Sequence, residues 1–115
     1  ALAVAQWDAS FNAGTRVREA ALDAIPAGSF LAIDAAAWRW ISGRTVAVTP
    51  ADGLARAACV ARAIDARSVV LEAAHFSRYE RLYSDDERPV WLGAPTVRGA
   101  TKIYPIRGEP PCDAR

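Results

Sequence analysis

The stretch that decides the fold is Thr45–His75, TVAVTPADGLARAACVARAIDARSVVLEAAH. It reads as strand, helix, strand. Thr45–Val48 is a short β-branched run, and Val69–Leu71 is a second, fully apolar one. Between them, Thr49-Pro50-Ala51-Asp52 carries the marks of a helix start. Thr49 can cap free amides, Pro50 needs no amide at the first helical position, and Asp52 faces the positive end of the helix dipole. Leu54, Ala57, Ala61 and Ile64 then recur at helical spacing, with Asp52, Arg56 and Arg62 toward the other side. A strand joined through a helix to another strand predicts two parallel neighbours with a right-handed crossover.

Working outward toward the N-terminus, Ala35–Ile41 is a short helix capped by Asp34 and closed by Ser42-Gly43. Ser29–Ile33 before it is apolar enough for a strand covered on both faces. Thr15–Ile25 reads as a helix with Val17, Ala21, Ala24 and Ile25 inward and Arg16, Arg18 and Glu19 outward, broken by Pro26-Ala27-Gly28. Residues 2–13 form a further helical pattern ending at Gly14. Toward the C-terminus, Phe76–Tyr83 suggests a helical turn or short helix, followed by a charged loop, Ser84–Pro89. Val90–Leu92 and Thr101–Ile106 read as two closing strands with Arg98-Gly99 near their turn, and Pro105 places the last at a sheet edge. The order α-β-α-β-α-β-α-β-β predicts a small three-layer α/β sandwich. Its central sheet would be parallel, with antiparallel C-terminal edge strands. In this reading 1–14 is a helical extension, 15–107 a single α/β domain, and 108–115 a flexible tail.

The composition fits an ordinary globular chain: 52% apolar, 23% charged, net charge +1 over 115 residues. All 14 basic residues except Lys102 are arginine, but they form no block and no stripe interleaved with aromatics, which argues against nucleic acid. No run of about 18 apolar residues exists to span a membrane. With no methionine and Ala1 first, the sequence reads as a processed product or an excised piece. Ala1–Ala5 would then be the end of a hydrophobic segment, with Trp7 suited to a membrane interface. The alternative makes Val4, Trp7 and Phe11 one face of a soluble helix.

Cys59 and Cys112 leave two readings open: two free thiols, or, in an oxidising compartment, a bond pinning the tail over the helix of Cys59. Together with one histidine they are too few for a metal site. No phosphate-loop or dinucleotide glycine pattern is present, so no cofactor is expected. Ser42, Ser68 and Ser77 lie in no nucleophile-elbow context.

One ordered series of short patterns is familiar. A helix ends in Ile25-Pro26-Ala27-Gly28, an apolar strand Phe30–Ile33 follows, and Trp38-Arg39-Trp40-Ile41 leads to Ser42-Gly43-Arg44 and Val46–Pro50. Ala66–Glu72 and Thr101-Lys102-Ile103-Tyr104-Pro105-Ile106 complete it. From Arg16 to Arg107 this resembles the soluble C-terminal domain that follows the transmembrane helices of many bacterial polytopic glycosyltransferases. Those are of the dolichyl-phosphate-mannose protein mannosyltransferase and aminoarabinose transferase type. The resemblance implies a domain on the extracytoplasmic face of the cell membrane, in a protein that takes sugars from polyprenyl-phosphate donors. Its partner would be the transmembrane portion of that parent. The family's acidic catalytic residues lie in a loop between early transmembrane helices, so no catalytic residue carries over to this chain.

Read from the residues alone, chemistry belongs outside the carboxyl ends of the strands. Asp34, Thr49 and Glu72 end three strands there, His75 follows closely, and Arg44 is a candidate cation. Carboxylates beside a histidine can do acid–base work or hold sugar hydroxyls, while Asp34 and Thr49 already have roles as helix caps. Trp38, Trp40 or Trp91 can stack on a sugar ring; Trp38 and Trp40, two apart on a helix, cannot share a face. Three functions follow: a non-catalytic accessory domain, a saccharide- or ligand-binding module, or a free-standing enzyme using Asp34, Glu72 and His75.

Overall fold

The computed structural model describes residues 15–112; the helical pattern over 2–13 lies outside them. Helix α1 covers 15–22, followed by strand β1 (Phe30–Ala32), helix α2 (Ala35–Ser42) and strand β2 (Val46–Val48). Helix α3 (Leu54–Ala63), strand β3 (Ser68–Leu71), a 3₁₀ turn (Ser77–Tyr79) and helix α4 (Glu80–Asp85) come next. Strands β4 (Thr96–Arg98) and β5 (Thr101–Pro105) close the chain's one sheet among the described residues.

The sheet order is β2-β1-β3-β5-β4. β1 runs parallel to both β2 and β3, with Leu31 opposite Ala47 on one side and Val69 on the other. β5 joins β3 antiparallel, with Tyr104 opposite Val69, and β4 joins β5 antiparallel. Alternation along the strands sends neighbours to opposite faces. Phe30, Ala32, Val70 and Ile103 meet Ala21 and Ile25 near α1 and Ala35 and Trp38 of α2. Leu31, Val69, Leu71 and Tyr104 meet Ala57, Ala58 and Ala61 of α3, Leu82 of α4, and Trp91 and Leu92. The architecture is therefore the expected small three-layer α/β fold with a parallel centre and an antiparallel side.

Several local expectations are corrected. β2 and β3 are parallel but not adjacent, because β1 lies between them. The helix after β2 does not begin at Thr49. The Thr49 amide instead continues the ladder to the Ala32 carbonyl at 3.0 Å, and its side chain is buried. α3 starts only after Gly53, whose φ of 116° suits a residue without Cβ and whose carbonyl receives the Ala57 amide. Val90–Leu92 is not a strand. It makes a single bridge, Leu92 to Ile106, and serves as a plug of Trp91 and Leu92 in the α3 side of the core.

Pro105 is not on an edge strand, since β4 covers β5. It is tolerated because β4 has already ended at Thr96, opposite Ile103, and the Pro105 carbonyl takes the Gly93 amide at 2.8 Å. Ala21 of α1 and Ile25 just after it are buried as expected, but Val17 is 55% exposed.

Cys59 and Cys112 form a disulfide across 53 positions of sequence. Arg62 of α3 also pairs with Glu109 at 2.7 Å, and Pro110 is buried, so residues 108–112 are held across α3.

Candidate functional site

Asp34 lies two positions beyond β1 and Glu72 one beyond β3. Because Ala32 sits opposite Val70 in the parallel pair, both carboxylates leave the sheet side by side at its carboxyl edge. Two like charges at such spacing need a cation, and α1 supplies it. Arg18 donates from Nε to Glu72 Oε2 at 3.1 Å and from Nη2 to Glu72 Oε1 at 3.4 Å; Nη2 also lies 3.3 Å from Asp34 Oδ2. This corrects the outward placement of Arg18. A helix wheel sees only the local pattern, whereas the position is fixed by acids 16 and 54 residues away.

Trp38 completes the arrangement from α2. Its ring is buried edge-on to Phe30, with centroids 5.8 Å apart at 83°, and its indole N–H donates to Glu72 Oε1 at 3.2 Å. The Arg18 guanidinium stands 5.9 Å from the Trp38 ring centroid. Asp34 also caps α2, its Oδ1 accepting the Ala37 amide at 3.3 Å. Thus Asp34 acts both as helix cap and as half of the acidic pair.

The other expected site residues do not join this cluster. Arg44 lies before β2, at the opposite end of the sheet, where it donates to the Pro26 carbonyl at 2.9 Å and the Ile25 carbonyl at 3.4 Å. There it secures the chain leaving α1. Thr49 is buried, its hydroxyl unpartnered, and it does not line the cleft described below. His75 turns away from the carboxylates. Its Nδ1 is 2.8 Å from the Glu72 carbonyl oxygen and its Nε2 meets the Glu80 carboxylate. Trp40 points outward, 81% exposed, and Trp91 is buried.

Beside the Arg18 cluster is a cleft of about 330 Å³ between α1, the ends of β1 and β3, and the β4–β5 hairpin. Val17, Ile33, Ala73, Ala74 and Ala100 give it apolar walls; Arg18, Asp34, Glu72 and Thr101 give it a polar side. Around His75, burial alone would lower the imidazole's pKa, but the Glu80 carboxylate and the Glu72 carbonyl outweigh it and hold the pKa above its ordinary 6.5. The Ser84 hydroxyl, and then His75, hold the Glu80 carboxyl below its ordinary range. Among the described residues no three His, Cys, Asp or Glu side chains gather to hold a metal ion.

The Arg18 bridge makes a direct prediction. Arg18→Met keeps much of the stem but leaves two carboxylates facing each other, and should lower stability by about 1–2 kcal/mol, the partial exposure of all three groups limiting the loss. Adding Glu72→Gln should restore part of it, so urea denaturation of the double-mutant cycle reads a coupling between the two positions. Compared with protein-family models, with curated proteins and with solved structures, the chain matches none.

Proposed function

We propose that this is a non-catalytic, extracytoplasmic accessory domain of a membrane glycosyltransferase-like protein that uses polyprenyl-phosphate sugars. It packs against the transmembrane portion of its parent and helps shape access for the acceptor or the lipid-linked donor. The observation that carries this reading is the mutual satisfaction of the charged groups at the carboxyl edge. Arg18 holds both Asp34 and Glu72, Trp38 holds Glu72, and His75 is held by Glu80. A general base needs a free, correctly placed lone pair, and a carboxylate with an arginine and an indole upon it is a poor one. The Cys59–Cys112 disulfide favours an oxidising compartment, in line with the extracytoplasmic side. No helix among the described residues is long and apolar enough to cross a membrane.

The test uses the parent protein in its own membrane. Glycosyl transfer should persist in a Glu72→Gln variant, and Cys59 and Cys112 should resist a membrane-impermeant thiol reagent until a reductant is added. Loss of transfer in a folded Glu72→Gln variant would overturn the non-catalytic reading. Labelling of both cysteines only after lysis, without reductant, would overturn the location.

The cleft favours a second reading, a saccharide- or small-ligand-binding module. Its volume lies in the range of small-molecule sites, and the Asp34 side chain is half-exposed at its rim. Trp38 is a built-in reporter, because its indole N–H touches Glu72 in the cleft wall. Titration with saccharides and polyprenyl-phosphate mimics should then change tryptophan fluorescence in the wild type and not in Glu72→Gln. An unchanged wild-type spectrum rules this reading out.

A further inference from the structure

His75 is the chain's single histidine, and its side chain is only 7% exposed. Both of its ring nitrogens face acceptors. Nδ1 meets the Glu72 carbonyl oxygen, and Nε2 meets a Glu80 carboxylate oxygen whose neighbour accepts the Ser84 hydroxyl. Neither acceptor has a hydrogen to return. Neutral imidazole carries one N–H and one lone pair, so either tautomer would aim its lone pair at an oxygen. Only the imidazolium donates at both positions.

The two contacts straddle a loop. Residues 73–78 run from the end of β3 toward α4, and His75 ties Glu72, just before them, to Glu80, at the start of α4. Ala73 and Ala74 of that loop form a wall of the cleft. Tyr83 of α4 lies beneath the imidazole, with centroids 4.4 Å apart, and its hydroxyl donates to the Ala100 carbonyl at the hairpin tip, another cleft residue.

We propose that His75 is a proton-operated latch. As imidazolium it fastens the 73–78 loop and fixes one wall of the cleft; as neutral imidazole it releases that wall. The groups facing it come from three elements. The end of β3 presents the Glu72 carbonyl, while the Glu72 carboxylate is turned to Arg18. α4 presents the Glu80 carboxylate and the Tyr83 ring. β5 presents Lys102, whose ammonium lies 4.5 Å from the Tyr83 centroid and opposes a second cation on that ring. Burial opposes the charge as well, and the Glu80 carboxylate and the Glu72 carbonyl outweigh it, which agrees with the raised pKa.

The direction in pH follows. His75 binds its proton more tightly folded than unfolded, so its stabilising contribution is complete below the ordinary value of 6.5 and disappears as pH rises through the higher folded value. Glu80 is shifted the other way, so its contribution is complete above its ordinary 4.5 and disappears as pH falls through the lower folded value. The latch is therefore closed below pH 6.5 and opens as pH rises through the higher folded value.

Because there is one histidine, NMR of the isotope-labelled 115-residue chain follows its ring without assignment ambiguity. The ring signals should titrate with a midpoint above 6.5. Amide-exchange protection across 73–78, corrected for the intrinsic pH dependence of exchange, should fall several-fold with the same midpoint. In Glu80→Gln the new amide can donate to Nε2 while Nδ1–H keeps the Glu72 carbonyl, so neutral imidazole is satisfied. There the midpoint should drop and the loop should stay protected through it. A wild-type midpoint at or below 6.5, a midpoint unmoved in Glu80→Gln, or loop protection that ignores the ring's charge would each overturn the latch.

Discussion

Trp38→Ala should destabilise the domain by about 3–5 kcal/mol, the range for removing a large aromatic from a packed core. Trp38 heads the wholly buried side chains by size and joins α2 to the β1–β3 face. Truncation removes the edge-to-face contact with Phe30, leaves a cavity beneath α2, and strips one of the donors from Glu72. Trp38→Phe separates these effects. It keeps a ring for Phe30 but loses the indole N–H, and should cost about 1–2 kcal/mol. Denaturant midpoints measure both variants. A loss under about 1 kcal/mol in Trp38→Ala would mean that the α2 side of the core collapses around the gap.

The second large effect concerns the Cys59–Cys112 bond. The chain-entropy account for a closed loop of this length, 53 positions, gives about 4 kcal/mol, and measured losses on removing such bonds centre on about 2–4 kcal/mol. Cys59→Ser with Cys112→Ser should therefore lower the urea midpoint substantially, and reductant should do the same to the wild type but not to the double variant. The loss has a structural side as well. Without the bond, the Arg62–Glu109 pair and the buried Pro110 still hold residues 108–112 over α3. An exposed ion pair adds little by itself.

What could be read from sequence divides by the range of the interactions involved. β1, α2 and β3 announce themselves, because an apolar run, an Asp cap and a Gly stop are local signals. Gly43 indeed ends α2 in the left-handed conformation, and Asp34 caps it. Trp38 and Trp40 divide between core and solvent as helical geometry requires. The errors arise where a distant partner decides. Thr49-Pro50 has good helix-start chemistry, but the Ala32 carbonyl takes the Thr49 amide and the helix waits for Gly53. Apolar Val90–Leu92 resembles a strand, yet Trp91 and Leu92 fill the core and the hairpin forms downstream.

The site follows the same rule. Asp34 and Glu72 meet because β1 and β3 are paired in parallel; the alternating strand and helix pattern predicts a parallel centre but puts β2 beside β3, where the structure places β1. Arg18 was hidden, its wheel position being outward. No local signal marks it, because the acids that hold it lie 16 and 54 residues away. Arg44 fails as a site cation for a topological reason. It enters β2 from the amino end, and no side chain spans the length of the sheet. His75 lies close to the cluster in sequence but turns to α4, where Glu80 holds it.

The position of the disulfide sets its role in time. Cys112 follows every strand among the described residues, while Cys59 sits within α3. In amino-to-carboxyl synthesis the two sulfurs can meet only after β5 has been made and is available to line up beside β3. The bond therefore acts late: it ties residues made last to a helix made earlier and restrains the chain that would otherwise leave α3.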